Sequence, residues 1–318
     1  MKKTFYSIVL LFLIISCKEK NTISLVSYNT QTFFDAIKDG REFKEFKNGN
    51  WNEASYNERI TRLLEAVKIC TNELIEKEDL PDILVLQEIE SYEVIKDISK
   101  HLSNNIYNQA VFIQEKTSPF NTVIFSKHKI LGAKAHNVYF ENKTLRPIIE
   151  AELLVSVAGN EMKVTVFAVH WKSKRDGNKN LRKMQEEMLY NRMKEKEKTS
   201  DFVIAAGDFN QNLNEFSKMK YFNNAWNLYE RDYEDQNINY VEEYVDGDDE
   251  KIDGSYFYKN NWEKLDHIFY SNSSKIKSIF FTVASKAPLV REGKVNRYNS
   301  GTKTGYSDHL PIGILLEL

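Results

Sequence analysis

Cysteine, proline and glycine are scarce in this chain, at 2, 5 and 12 of 318 residues. Two cysteines, Cys17 and Cys70, cannot build a disulfide framework, and neither a cysteine pair nor a His-Glu-x-x-His run sets up a zinc site. No serine or cysteine occupies a nucleophile elbow, and no glycine-rich phosphate loop occurs. Charge of one sign is also lacking. The formal net charge is −2, so no overall basic field advertises a polyanion, and a local patch or a bound cation would have to supply any attraction. Internal repeats and low-complexity linkers are absent. What is present is apolar mass. Hydrophobic residues make up 42% and aromatics 13%, enough for a sizeable core and against global disorder.

The N-terminus carries a targeting signal. Lys2 and Lys3 precede an apolar run, Phe5 to Ile15, that is too short for a comfortable membrane span and fits a signal peptide. Ile14-Ile15-Ser16-Cys17 resembles the lipobox of bacterial lipoproteins. That resemblance implies cleavage after residue 16, a diacylglycerol thioether on Cys17, and a chain held at the bacterial cell envelope, periplasmic or surface-exposed, by this lipid anchor. Residues 1–16 would then be the signal, 17–22 a short tether, and 23–318 a single domain. With Cys17 lipidated, Cys70 has no partner. It shares an apolar helix face with Leu63 and Val67 and reads as a buried, inert thiol.

Periodicity places many strands and few helices along the domain. Ile23–Tyr28, Asp82–Leu86, Ala110–Gln114, Asn121–Ser126, Ile148–Val157, Lys163–Val169, Phe202–Ala206, Leu265–Tyr270, Ile276–Val283 and Ile312–Leu318 read as strands. Tyr56–Glu76 reads as a helix with Ile60, Leu63, Leu64, Val67 and Leu74 on one face and Arg59, Glu65, Lys68 and Glu73 elsewhere. Ser91 caps a second helix running to Leu102, and Asn180–Lys198 forms a third. Thr30–Asn50 reads as a polar, charged connection. The acidic stretch Glu242–Asp253 lacks EF-hand spacing and reads as a solvated loop. Many strands and few helices argue for sheets packed on each other with helices outside.

Several of these strands deliver a polar group where the apolar run stops. The stretch Phe202 to Asn210 (Phe-Val-Ile-Ala-Ala-Gly-Asp-Phe-Asn) shows it best: a strand buried on both faces ends at Gly207 and presents Asp208 and Asn210 at i, i+2, on one side of an extended chain. Asn29, Glu88, His170, Asp266, Asp308 and His309 follow the same pattern. Carboxylates and carboxamides with a few histidines are hard oxygen ligands plus acid–base groups, a set suited to Mg²⁺ or Mn²⁺ acting on a phosphate. Asp308 and His309 are adjacent and must lie in a turn to face one site, which Gly305 and Pro311 make plausible.

Gln87-Glu88, Gly207-Asp208-Phe209-Asn210, Leu265-Asp266-His267-Ile268 and Ser307-Asp308-His309-Leu310-Pro311 together resemble the endonuclease/exonuclease/phosphatase superfamily. They occur in that family's order and span nearly the whole mature chain. Val169-His170-Trp171-Lys172-Ser173-Lys174 is similar to the matching segment of bacterial extracellular nucleases, with Val169 where the family often has Asn. The resemblance implies a DNase I-like α/β fold, a four-layer α/β/β/α sandwich of two packed, mostly antiparallel sheets. It implies a Mg²⁺- or Mn²⁺-dependent phosphodiesterase, working as a monomer. Glu88, Asp308 and Asn29 would hold the metal, and Asp266 would orient His309. His170 and Asn210 would donate to the phosphate. Asp208 would orient or deprotonate the attacking water, with either it or the His309–Asp266 pair as the base.

Arg146 is placed to reach a phosphate or to pack at the core edge. Lys172, Lys174, Arg175, Lys294, Arg297 and Lys303 could track a nucleic-acid backbone or remain solvated. Gly254-Ser255-Tyr256 and Trp262 resemble a family stretch expected to pack under the site, and His101, His128, His136 and His267 fall outside the pattern. Lys264-Leu265-Asp266-His267 departs from the Trp-Cys-Asp-Arg of inositol phosphatases, and His170 stands where AP endonucleases usually have Tyr. A nuclease acting on DNA or RNA is the leading expectation. A sphingomyelinase-like or small-phosphoester hydrolase, and a non-catalytic binding lipoprotein of the same fold, are the alternatives.

Overall fold

A computed structural model describes residues 21–40, 42–47, 50–75, 79–102, 106–107, 109–114, 118–141, 143–157, 159–176, 179–229 and 252–318. The lipobox with Cys17, and most of the acidic stretch before Asp253, lie outside the described residues.

Two six-stranded sheets face each other. The first runs Ser278–Val283, Ile312–Glu317, Thr22–Phe33, Ile83–Ile89, Asn121–Ser126, Gln109–Phe112. The second runs Asn223–Asn224, Asp266–Tyr270, Phe202–Asp208, Asn160–His170, Ile148–Val157, Lys129–His136. Each sheet holds one parallel pair among antiparallel neighbours: Thr22–Phe33 with Ile83–Ile89, and Asn160–His170 with Phe202–Asp208. These pairs are buried on both faces; Phe202–Asp208 and Ile83–Leu86 accordingly read as continuous apolar runs, while the first strand alternates with buried serines, Ser24 and Ser27. The helix Glu53–Ile75 covers the first sheet and the helix Lys179–Lys196 the second, giving the expected α/β/β/α sandwich. The main core fills the space between the sheets and under the first helix, and a second cluster lies between the second sheet and its helix.

Parallel pairing fixes where function can sit. Strands running the same way finish at the same edge, so Asn29 lies in register with Gln87, and Asp208 with His170. Asp266 begins an antiparallel neighbour and lands opposite Asp208. Gly207 is required just before that point. Its φ is +145°, and a Cβ there would lie 2.0 Å from the Val169 carbonyl oxygen.

Three local readings differ from the sequence expectation. Thr30–Asn50 is not a mere polar connection: the first strand continues to Phe33, and Phe33, Phe34, Phe46 and Trp51 are buried. Charged residues interleave these rings and hide the apolar pattern. Lys129–His136 is an edge strand with almost no buried residue, so alternation could not reveal it. Arg59, assigned to the polar side of its helix, is 2% exposed. Cys70 is buried as expected, and burial pushes its thiol pKa well up.

Candidate active site

The ends of the two parallel pairs meet across the seam between the sheets. On the first sheet, the ladder breaks between Asn29 and Phe33 and again between Leu86 and Ile89. Gln31, Thr32 and Glu88 all have positive φ there, so paired irregularities re-aim both strand ends. The Thr32 N–H donates to Glu88 Oε2 at 2.6 Å, and the Gln31 N–H to Asn29 Oδ1 at 3.1 Å.

On the second sheet, Asp208 accepts from the Asn210 N–H at 2.8 Å, from Asn210 Nδ2 at 2.9 Å, and from Asn29 Nδ2 at 3.1 Å. The last bond joins the two sheets. His170 Nε2 stands 3.5 Å from Glu88 Oε1 and 3.6 Å from Asp208 Oδ2, between a carboxylate of each sheet. Asp308 lies in a bend, as the adjacency argument requires, and His309 Nδ1 meets Asp266 Oδ2 at 2.6 Å. Ser255 Oγ donates to the same Asp266 oxygen at 2.6 Å. Ser307 Oγ donates to the Asn29 carbonyl at 2.6 Å and accepts from the His309 N–H at 3.1 Å.

Burial and neighbouring charge push these groups apart electrically. His309 would lose affinity for its proton through burial, but the Asp266 carboxylate, joined by the charges of Asp208 and Asp308, outweighs that and raises its pKa. His170 moves the other way, held neutral by burial and by the positive charges of Arg146, His309 and Lys172. Burial raises the Asp208 carboxyl, with the Asp266 charge adding to it and the His309 charge opposing. Glu88 is raised by burial and then by the negative charge of Asp308. One protonated and one neutral imidazole beside proton-hungry carboxylates is the pattern of an acid–base site.

These groups line a cavity of about 710 Å³. Asn29, Glu88, Arg146, His170, Lys174, Asp208, Asn210, Asp308 and His309 all face it; Asp266 stands behind His309, and Lys172 is not on the wall. The Arg146 guanidinium lies over the Phe120 ring at 5.2 Å and donates to the Trp171 carbonyl at 2.9 Å. Lys174 is gripped by Glu215 at 2.9 Å and Glu263 at 3.2 Å. Arg297, 59% exposed, reaches within 3.6 Å of Asp308. Aromatic rings flank the opening: Phe43 against Phe120, and Tyr256 stacked on Tyr258, with Tyr256 also 4.7 Å from the His309 ring.

The donor set fits a hard divalent cation. Glu88 and Asp308 give two carboxylates whose mutual repulsion a cation would relieve. Asn29 Oδ1 accepts one N–H and keeps a lone pair. Among the described residues no group of three or more His, Cys, Asp or Glu side chains is arranged around one ion. Two carboxylates with waters completing the shell is the habit of Mg²⁺.

Several supporting residues escape sequence reasoning. Ser255, expected to pack under the site, hydrogen-bonds the Asp266 carboxylate. Ser307 and the Thr32 N–H give no chemical signal beyond a small residue and a backbone amide. Of the histidines outside the pattern, His267 is buried among Phe209, Phe216 and Phe269 and is bonded to Asn224 and the Gln211 carbonyl. His101 lies exposed on the Asp97 carbonyl, and His136 pairs with Glu150.

Fold and site together define a DNase I-like sandwich with a phosphodiesterase-type hydrolase centre. The profile described as Endonuclease/Exonuclease/phosphatase family matches residues 24–318, and the chain belongs to that family. Among solved structures, truncated Caenorhabditis elegans TDP2 matches with a TM-score of 0.59 and 17% identity over 93% of this chain and 98% of that one. Human Nocturnin's catalytic domain, with a bound sulfate anion, gives 0.54 and 18% over 93% and 94%. D. rerio TDP2, complexed with a single-strand DNA product, gives 0.53 and 15% over 94% and 100%. No curated protein sequence matches the chain.

Proposed function

We propose that the protein is a metal-dependent nuclease that hydrolyses DNA or RNA phosphodiester bonds by in-line attack of an activated water. The observation that carries this reading is the convergence, in one cavity, of strand ends from both sheets around His170, Glu88 and Asp208. Glu88, Asp308 and Asn29 would hold Mg²⁺ or Mn²⁺, which when bound polarises a phosphoryl oxygen. His309, kept protonated by Asp266, donates to the phosphate, as does His170 Nε2, while Asn210 Nδ2, spent on Asp208 and the Trp171 carbonyl, holds Asp208 in place. Asp208 takes the proton of the attacking water, since burial has raised its affinity for one. Arg146 and Arg297 offer charge to flanking phosphates, and the Tyr256–Tyr258 and Phe43–Phe120 pairs offer ring faces to unstacked bases. Lys174 is already neutralised by two glutamates and contributes least.

The test is purified protein with Mg²⁺ or Mn²⁺ offered plasmid DNA, RNA and sphingomyelin vesicles. Nicking or RNA cleavage that EDTA and His309→Ala both abolish supports the nuclease. Hydrolysis of the lipid alone moves the protein to the sphingomyelinase-like alternative. We further place the protein at the bacterial cell envelope through lipid on Cys17, on the strength of the lipobox resemblance. Cys17→Ser should shift it from the membrane pellet to the soluble fraction.

A further inference from the structure

The broken end of the first strand is held by a buried cation that does not line the cavity. Arg59 projects from the helix Glu53–Ile75 into an aromatic enclosure, with Tyr298 at 4.0 Å, Phe33 at 4.7 Å, and Phe46 and Trp51 further out. Among the described residues its guanidinium makes no ion pair. It donates instead to three consecutive backbone carbonyls: Thr30 at 3.1 Å, Gln31, and Thr32 at 2.9 Å. Burial lowers its pKa to about 10, which still leaves it charged at neutral pH.

The same peptide groups face the site with their other ends. The group linking Thr30 to Gln31 has its carbonyl on Arg59 and its N–H on Asn29 Oδ1. The group linking Gln31 to Thr32 has its carbonyl on Arg59 and its N–H on Glu88 Oε2. A positive charge on a carbonyl polarises its amide and strengthens the N–H as a donor. Gln31 and Thr32 have φ of 53° and 49°, a strained conformation that persists only where surroundings over-determine it. Gln31 is tied further by a reciprocal pair of bonds with the Tyr298 backbone, at 3.1 and 3.2 Å.

We propose that Arg59 is a positioning residue for the divalent cation: through two successive peptide groups it fixes the orientation of the Asn29 and Glu88 oxygens that would hold the ion. The inference rests on the metal-dependent reading above. Groups behind metal ligands of this kind typically set affinity by about 10–100-fold.

The test is calorimetric titration of Mn²⁺ into the full chain, with thermal unfolding as a check on folding. Arg59→Lys, which keeps the charge but cannot span three carbonyls, should weaken Mn²⁺ by about 10–100-fold. Cleavage rate should recover at saturating Mn²⁺. Tyr298→Leu removes the ring facing the guanidinium and leaves Arg59 in place. It should weaken Mn²⁺ about 2–5-fold, and it decides the matter if Arg59→Lys does not fold. Wild-type Mn²⁺ affinity in either folded variant overturns the proposal, as does a loss of rate at saturation with affinity unchanged. A wild type that binds no Mn²⁺ strikes the metal reading itself, whereas a wild type that binds it indifferently to Arg59 strikes only this inference.

Discussion

Two of the places that draw carboxylates out of solvent treat them oppositely. Between the second sheet and the helix Lys179–Lys196, Glu150 meets Lys196 at 2.9 Å, Arg192 at 2.9 Å and His136 at 2.7 Å, while Glu152 takes Lys163 and Lys196. Burial works against the Glu150 charge, but those donors overcome it and lower its pKa to about 2. At the seam between the sheets, Glu88 is half-buried and Asp208 buried, neither with a lysine or arginine paired to it among the described residues, and their pKa values rise. The first cluster is complete in itself and locks a helix to a sheet. In the second, Glu88 and Asp208 keep no paired lysine or arginine among the described residues, and the cations nearby leave their raised pKa values uncancelled.

That contrast can be broken by substitution. Removing site groups should hurt catalysis and spare the fold. His309→Ala should lower kcat for phosphodiester cleavage by about 10²–10⁴-fold, read by a nicking assay at saturating metal. Glu88→Gln should abolish metal binding yet leave the metal-free unfolding temperature unchanged or raised, because it deletes a repelled charge.

The opposite holds at Glu150. Glu150→Gln leaves Arg192 without its buried partner and should cost about 3 kcal/mol in chemical denaturation, with cleavage rate at saturating metal unaltered.

Acidity should separate the two places further. The folded pKa of Glu150 is depressed, so its stabilisation is present above about pH 4.5 and lost as pH falls towards 2. Asp208 and Glu88 are raised, so their stabilising share is present at low pH and lost as pH rises through their folded pKa values. In EDTA, the unfolding temperature should therefore fall from pH 5 to pH 8. Added Mg²⁺ should restore more of it at pH 8 than at pH 5, where protons already occupy the carboxylates.

The smallest effect belongs to the exposed fringe of the structural cluster. Glu195, which also touches Arg192 but is 61% exposed, can become Ala at about 0.5 kcal/mol or less.

The two places also differed in how openly the sequence displays them. Glu88, His170 and Asp208 stand at the C-terminal ends of apolar runs, and a polar residue that stops such a run is visible without coordinates. Asp308 and His309 required one geometric argument, that neighbours share a site only in a bend. Ser255, the Thr32 amide and Arg59 were invisible because they work through backbone or through another side chain, and residue type alone does not report that. The edge strand Lys129–His136 buries too little to show a period, and in the Phe33–Trp51 stretch charges separate the rings. The Glu150 cluster was unread because ion pairs between a strand and a distant helix leave no local spacing.

One feature of the first sheet constrains how such a protein comes into being. The strand Ile312–Glu317 is not an edge; it is the plank between Ser278–Val283 and Thr22–Phe33. A partly folded polypeptide has a gap beside its first strand until that plank arrives. It also lacks Asp308 and His309, which immediately precede the plank. Until that plank pairs, the strand that carries Asn29 has an open side, and the hydrolytic centre cannot assemble without the turn that leads into it.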